Sequence, residues 1–137
     1  MLSSREEHFV LAQPVARMAT ADARGRPFVV PVCFAYLDGR LYTPVDEKPK
    51  SGRRLRRLRN IEENPQVSLL FDRYEADWQR LAWVLIRGRA SLVTDRSEKA
   101  QAAAALRHKY DQYNSMGLEQ LPLIRIIPEH ATSWGAV

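Results

Sequence analysis

Apolar residues alternate with polar ones, or cluster in short runs, along most of the chain, and this is the pattern of β-strands. Such runs predict strands at residues 15–21, 28–37, 40–45, 66–72, 80–93 and 121–127, with a short last strand at 131–134. The Asp38-Gly39 pair is typical of a two-residue hairpin turn and joins the second strand to the third. A turn at residues 22–25 joins the first strand to the second. We therefore expect the first three strands to form an antiparallel meander.

Three segments, at residues 3–13, 51–63 and 95–113, carry the helical period instead. The first begins with a capping-box pattern, in which serines at 3–4 precede glutamates at 6–7, and Asp95 or Ser97 caps the third. Short hairpin connections leave no room for parallel crossovers among the first three strands. The predicted fold is mainly β, a small antiparallel barrel with about three flanking helices, in one domain that spans residues 1–137.

Seven basic residues lie within twelve positions that follow the third strand and continue into the second helix: Lys48, Lys50, Arg53, Arg54, Arg56, Arg57 and Arg59. Ser51 is the expected cap of that helix, and Leu55, Leu58 and Ile61 form its apolar stripe, so Arg56 and Arg57 are expected to face solvent. Lys48 and Lys50 precede the first helical turn, where free N–H groups and the helix dipole favour an anion. The pattern indicates a phosphate site that Arg53 or Arg54 can extend. A solvated charged face remains the alternative.

Composition and charge limit the classes of function that the protein can have. The 137 residues carry a net charge of +5, and the basic cluster that dominates it is compatible with nucleic acid, another polyanion or an anionic cofactor. The cluster contains no aromatic residue on which bases could stack, which argues against a nucleic-acid-binding module without excluding one. No apolar run is long enough to span a membrane and no signal sequence is recognisable, so we expect a cytoplasmic protein.

Catalytic side chains are not evident in the sequence. Cys33, the single cysteine, lies in an apolar strand with no basic residue nearby in sequence, and this indicates a buried, inert thiol. His8, His108 and His130 are far apart and lack the spacing of metal ligands, so no metal site is predicted. Phosphate-loop and serine-hydrolase motifs are absent. Tryptophans 78, 83 and 134 are interpreted first as core or interface anchors, although flat rings also suit a planar cofactor.

A series of motifs between residues 16 and 90 resembles a known family. In order, they are MATADARGRPFVVPVCF, DGRLYTP, KPK, RLRRLRNIEENPQVSLLFD and WVLIRGRA. This order is similar to that of the pyridoxamine 5′-phosphate oxidase-like flavin-binding split barrels. The DEKPK segment and the run DRYEADWQRLAWV resemble the branch of that family that uses the deazaflavin coenzyme F420.

The resemblance implies an antiparallel split barrel that forms a homodimer, with a cofactor at the subunit interface. It places the cofactor phosphate on Lys48 and Lys50, near Thr43. The remaining residues that it suggests for the cofactor are Val30, Pro31, Val32 and Cys33 on the second strand, which line the ring through their backbone, together with Pro44, Ser51, Arg54, Trp83 and Trp134. Trp83 corresponds to a ring-contacting position that often comes from the other subunit.

The implied activity is hydride transfer from reduced F420 to a small organic acceptor. The second strand lacks the arginine and lysine that bind the FMN phosphate in authentic pyridoxamine phosphate oxidases, and their C-terminal substrate motif is not recognisable either. These differences favour the deazaflavin over FMN. An FMN-dependent oxidase or reductase, or a flavin carrier of the same fold, is the alternative. A polyanion-binding module remains the alternative from a different class.

Overall fold

A computed structural model of the protein describes residues 1–45 and 55–137. Those residues contain one seven-stranded antiparallel sheet made of β1 (Ala16–Ala21), β2 (Pro27–Val32), β3 (Ala35–Leu37), β4 (Arg40–Pro44), β5 (Gln66–Arg73), β6 (Ala82–Leu92) and β7 (Leu123–Gly135). They also contain the α-helices α1 (Ser4–Ala12), α2 (Arg56–Glu63) and α3 (Arg96–Lys109) and short 3-10 helices at Trp78–Arg80, Asp111–Ser115 and Leu118–Gln120. In this described part of the chain, no helix is long and apolar enough to cross a membrane.

The sheet curls until its two edges meet. The strand order is β2-β1-β5-β6-β7-β4-β3, so β2 and β3 are the two edge strands. Only Cys33 and Phe34 separate the end of β2 from the start of β3. Three Cα–Cα steps reach at most about 11 Å, so the two edges lie close together without pairing. We call this junction the seam. It confirms the predicted antiparallel split barrel.

The barrel interior is filled by alternate residues of its strands. The inward-facing side chains include Met18 on β1, Leu69 and Phe71 on β5, and Val84 and Ile86 on β6, none of which is measurably exposed. Phe34, at the seam, packs edge-to-face against Phe71 with ring centroids 4.9 Å apart. Burying these aromatic and aliphatic side chains provides the main driving force for closing the barrel.

Two strand predictions were wrong. The expected single strand at 28–37 is broken at the seam, because the backbone N–H of Phe34 bonds to the hydroxyl of Tyr110 at 3.1 Å and not to a neighbouring strand. The pairings of the predicted meander are confirmed, since β1 pairs with β2 and β3 pairs with β4, but the break divides its middle strand into β2 and β3. The two predicted C-terminal strands form the single long strand β7.

The local signals were more accurate. Ser3 and Glu6 form both hydrogen bonds of the capping box of α1, and Asp95 caps α3. Asp38 and Gly39 both have positive φ, as a tight hairpin turn between twisted strands requires. Gly88 lies at a register shift in the β6–β7 ladder, where an added Cβ would overlap the carbonyl oxygen of Ile127, so the predicted bulge is confirmed.

Candidate functional site

The end of β4 carries a buried hydroxyl that lacks a hydrogen-bond partner. Thr43 is 1% exposed and lies between the core residues Leu41 and Val45 on the inward side of β4. Within residues 1–45 and 55–137, nothing hydrogen-bonds to its Oγ1. A buried polar group without a partner costs about 1–3 kcal/mol, so this atom is a candidate for contact with a ligand. Pro44, which follows it, is also buried.

The predicted phosphate residues Lys48, Lys50, Ser51 and Arg54 lie outside the described residues. Their assignment therefore stays a prediction. What the structure does describe are the two ends that flank them, the end of β4 and the first turn of α2.

The first turn of α2 has an uncapped N-terminus and a buried arginine. Leu55 occupies the N-cap and forms no side-chain capping hydrogen bond, and the first turn contains no acidic residue. Arg57 is only 7% exposed, and its Nε has no hydrogen-bond partner among the described residues. Free helical N–H groups, the positive end of the helix dipole and a buried guanidinium together favour an anion at this position.

The prediction that Arg57 faces solvent was wrong. Arg57 lies one helical turn before Ile61, on the side of α2 that packs against the barrel, and Leu58, Asn60 and Ile61 are buried with it. Ile61 contacts the core while Arg56 and Arg59 are exposed. The i, i+4 relation to Ile61 was visible in the sequence. Arg57 was instead grouped with Arg56 on the side of the helix expected to face solvent.

Polar contacts hold α2 against the turn between β1 and β2. Asn60 Nδ2 donates to Thr20 Oγ1 at 3.0 Å, and Glu63 accepts a hydrogen bond from the backbone N–H of Ala23 at 3.0 Å. In the same turn, Asp22 accepts hydrogen bonds from the backbone and the side chain of Arg26, and these bonds lower the pKa of Asp22. The hydrogen bonds of Asn60 and Glu63 thereby fix the position of α2 relative to the barrel.

A cavity of about 340 Å³ opens between α2 and the start of β2. Its lining consists of Asp22, Arg26, Pro27, Phe28, Arg56 and Asn60. The exposed side chain of Arg56 places a positive charge at its wall, the charge of Arg26 is paired with that of Asp22, and Phe28 adds an aromatic surface. A cavity of this size with cationic and aromatic walls suits part of a phosphate-bearing, ring-containing ligand.

The predicted residues of β2 lie on an edge strand beside the seam. Pro31 is exposed and is registered with Arg17 of β1, whereas Val30 packs against the core and Val32 is buried. Because β2 has a neighbouring strand on one side only, Pro31 removes no ladder hydrogen bond on its free side. This explains how the sheet tolerates a proline there and leaves part of the β2 backbone available to a ligand.

Two of the predicted tryptophans are neighbours, but they are remote from β2. Trp83 on β6 is directly opposite Trp134 on β7, and Trp134 is 53% exposed. Strands β1 and β5 separate β6 from β2, a spacing of about 14 Å along the sheet. The predicted site residues thus form two groups, one at the seam with Thr43 and one at the tryptophan pair. These groups do not meet on one protomer.

Cys33 has a basic neighbour that the sequence did not reveal. Cys33 is only partly buried, and Lys109 and Tyr110 at the end of α3 interact with it electrostatically. The ammonium group of Lys109 is buried 3.3 Å above the Phe34 ring, and burial lowers the pKa of Lys109 to about 8. Burial likewise raises the pKa of Tyr110 to about 12. The expectation of a buried thiol was wrong, because Cys33 is only partly buried, and its inertness stays a prediction.

Comparisons with known proteins agree with this architecture. The family model described as pyridoxamine 5′-phosphate oxidase matches residues 3–135. The heme storage protein HutZ from Vibrio cholerae has a similar structure, with 25% identity, a TM-score of 0.74 and coverage of 94% of this chain and 90% of that one. A FAD-binding protein from Mesorhizobium loti shows 26% identity, a TM-score of 0.70 and coverage of 96% and 94%.

A conserved hypothetical protein from Mycobacterium tuberculosis shows the same fold at 19% identity, with a TM-score of 0.78 and coverage of 98% of this chain and 86% of that one. No curated protein matches the chain at a significant level.

Proposed function

The chain belongs to the pyridoxamine 5′-phosphate oxidase family, and from that premise we propose that it binds coenzyme F420 and transfers a hydride from the reduced cofactor to a small organic acceptor. The observation that carries the proposal is the anion-binding arrangement at the start of α2. There, an uncapped helix N-terminus and the buried, partly unpaired guanidinium of Arg57 lie together. A phosphate is the anion for which such an arrangement is best suited.

The residues that would hold the phosphate come from both sides of the segment 46–54, which follows β4 and precedes α2 in the sequence. Thr43 offers a hydroxyl without a partner among the described residues, and Arg57 offers a guanidinium. Lys48 and Lys50 would add two ammonium groups, as the resemblance predicts. The unpartnered atoms of Thr43 and Arg57 fit this group, because each lacks a hydrogen-bond partner that a phosphate oxygen can supply.

The ring system would lie against β2, along the backbone of Val30, Pro31, Val32 and Cys33. When bound, the cofactor supplies the hydride chemistry. The protein orients the ring and excludes water from it, and no side chain at the seam is assigned as a general acid. Cys33 contributes its backbone to the wall beside the ring, as the resemblance predicts, and we assign no nucleophilic role to its thiol.

We further propose that the protein is a homodimer with a cofactor at each of two equivalent interface sites. The support is the distance of about 14 Å, or three inter-strand steps, between β6 and β2. At that distance, Trp83 and Trp134 of one protomer are too remote to cover a ring at its own seam. A twofold-related copy can bring its tryptophan pair to that ring. The exposed indole of Trp134 is suited to such an interface.

FMN in place of F420 is the nearest alternative within the same fold, as an oxidase, a reductase or a flavin carrier. The FAD-binding protein from Mesorhizobium loti supports a flavin. Against FMN, the stretch FVVPVCF on β2 contains no basic residue for its phosphate. The phosphate of FMN would then depend on Arg57, Lys48 and Lys50 alone.

A heme carrier is a second candidate function. His130 on β7 is exposed and directly opposite the exposed Arg87 of β6. An imidazole is a common axial ligand of heme iron, and a guanidinium pairs well with a propionate. The likeness to the heme storage protein HutZ supports this candidate.

Parallel titrations test the cofactor assignment. Purified protein is titrated with F420 and with FMN, followed by the fluorescence of each cofactor, and with hemin, followed by its absorbance. We expect F420 to bind in the micromolar range or more tightly, in a ratio of one per protomer. Binding of FMN without F420, or of hemin alone, would replace the proposed cofactor. Binding of none of the three, together with salt-dependent binding of nucleic acid, would establish the polyanion alternative.

A further inference from the structure

A cavity of about 420 Å³ lies between α1 and the end of β7, and none of the predicted cofactor residues lines it in the described part of the chain. Its lining consists of Ser4, Arg5, His8, Phe9, Ala12, Gln13, Arg73, Ala136 and Val137. The volume falls within the range of small-molecule sites and equals that of about fourteen liquid waters. A ligand with roughly a dozen non-hydrogen atoms would fill it.

One face of α1 forms a wall of this cavity. Arg5, His8, Phe9 and Ala12 follow the i, i+3, i+4, i+7 spacing, so they share that face. Phe9 is 4% exposed and belongs to the barrel core, which makes it the apolar floor, while Arg5 and His8 are exposed at the rim. The cavity is therefore apolar at the bottom and cationic at the opening.

Arg73 from β5 contributes a fixed positive charge opposite α1. Its Nε donates to the carbonyl of Arg80 at 2.9 Å and its Nη2 donates to the carbonyl of Ala136 at 2.8 Å. The guanidinium lies 5.4 Å from the centroid of the Phe9 ring. These contacts hold the charge beside the apolar floor, while Nη1 forms no hydrogen bond within residues 1–45 and 55–137.

No carboxylate in the described ranges pairs with Arg5, His8 or Arg73. In contrast, the exposed arginines Arg17, Arg26 and Arg80 each form an ion pair of 2.6 to 2.7 Å. Cations that line an apolar cavity without a paired carboxylate favour an anion supplied from outside. The apolar floor favours a hydrocarbon body on that anion.

We propose that this cavity binds a small amphipathic anion, with a carboxylate or sulfonate at the Arg5 and Arg73 rim and an apolar ring or short chain against Phe9. The site is separate from the phosphate arrangement at α2 and does not depend on which cofactor the protein uses. A neutral apolar molecule would leave the cationic rim without a counter-charge. An inorganic anion would leave the floor empty.

The test uses anilinonaphthalene sulfonate as a fluorescent probe with the full chain, and octanoate as a competitor. We expect saturable binding of one probe per protomer, displacement by octanoate, and no displacement by octylammonium at the same concentration. Ala12→Phe, which fills the cavity from an exposed helical position, should lower the affinity for the probe at least tenfold. Ala104→Phe, exposed on α3, is the matched control and should leave the affinity unchanged.

The charge requirement is tested separately, by a variant that leaves the floor intact. Arg5→Gln should lower the affinity for the probe about fivefold, because it removes one partly solvated charge from the rim. Arg24→Gln, in the exposed turn after β1, is its control. An affinity that is unchanged in both Ala12→Phe and Arg5→Gln, or equal displacement by octanoate and octylammonium, would overturn the proposal. Absence of saturable binding would overturn it too.

Discussion

The side-chain amide of Asn60 donates a hydrogen bond to the hydroxyl of Thr20 at 3.0 Å, and the two residues are 1% and 3% exposed. This bond crosses from α2 to β1, and it holds the helix that carries Arg57 against the barrel. Because neither group can reach water, each depends on the other for its hydrogen bond.

Replacing Asn60 by leucine should therefore lower the free energy of unfolding by about 2 kcal/mol, since the Thr20 hydroxyl stays buried and loses this donor. The measurement is urea unfolding followed by circular dichroism. Thr20→Val added to Asn60→Leu should recover part of the loss, because both polar partners are then removed. If the double variant loses as much unfolding free energy as the single variants Asn60→Leu and Thr20→Val lose together, the two groups do not depend on each other.

Local sequence signals were sufficient for much of this fold. The capping box at Ser3 and the Asp38-Gly39 turn depend on residues within four positions of each other, and both were predicted correctly. The break at the seam was not predictable, because it depends on a hydrogen bond from the backbone N–H of Phe34 to the hydroxyl of Tyr110, 76 residues away. The pairing of β1 with β5 was not predictable for the same reason, since it joins residues 17–19 to residues 68–70.

The sequence predicted the chemistry of the candidate site, but not the position of each residue in it. Its anion chemistry followed from the basic segment and the strand-to-helix transition, whereas the burial of Arg57 depends on how α2 packs against the barrel. The separation of Trp83 from Pro31 depends on strand order, which local sequence patterns do not encode. Lys48, Lys50, Ser51 and Arg54 lie outside the described residues and keep the status of predictions.

Glu98 should make the protein less stable in acid. Burial opposes ionisation of this carboxylate, but Tyr42 at 2.7 Å and Arg125 at 2.7 Å donate hydrogen bonds to it, and the pKa of Glu98 is lowered overall. A lowered pKa in the folded state means that the stabilising effect is present above the ordinary pKa of 4.5 and is lost as the pH falls through the lower folded value.

The measurement is the unfolding free energy between pH 7 and pH 3 for the wild type and for Glu98→Gln. Glu119, Asp22 and Glu6 also have lowered pKa values, so both proteins should lose stability in acid. The wild type should lose more than Glu98→Gln over this interval. Parallel curves would mean that Glu98 gains no net stabilisation from its partners.

Lys109 should also make the protein more stable as the pH rises, but in the alkaline range. Burial lowers its pKa from 10.5 to about 8, so the folded protein releases this proton at a lower pH than the unfolded chain does. The wild type should therefore gain stability relative to Lys109→Met as the pH rises from 8 to 10.5. At pH 7, Lys109→Met should be the more stable protein by about 1 kcal/mol, since attraction to the Phe34 ring offsets part of the burial cost.

Unfolding by urea at pH 7 and pH 10 measures this difference, with Lys99→Met on the same helix as the control. If Lys109→Met is instead less stable than the wild type at pH 7, the contact with the Phe34 ring outweighs the cost of burying the ammonium group.

The tryptophan pair should contribute to dimerisation. Trp134 is 53% exposed and is registered with Trp83, and together they form an aromatic surface of the kind that anchors interfaces. Trp134→Ala should raise the dissociation constant of the dimer at least tenfold, measured by light scattering over a dilution series. Trp78→Ala is the matched control, because Trp78 is 71% exposed but lies in a 3-10 helix outside the sheet. A wild-type protein that is monomeric at every concentration would contradict the interface itself.

The most direct test of the central claim compares F420 affinity in Arg57→Met and Arg59→Met. The two arginines are two positions apart on α2, but Arg57 is buried with an unpaired Nε and Arg59 is exposed. If the start of α2 holds the cofactor phosphate, Arg57→Met should weaken binding about tenfold or more, because it removes a charge-assisted hydrogen bond, and Arg59→Met should change it less than twofold. Equal losses in the two variants, with both proteins folded, would contradict a defined phosphate site at Arg57.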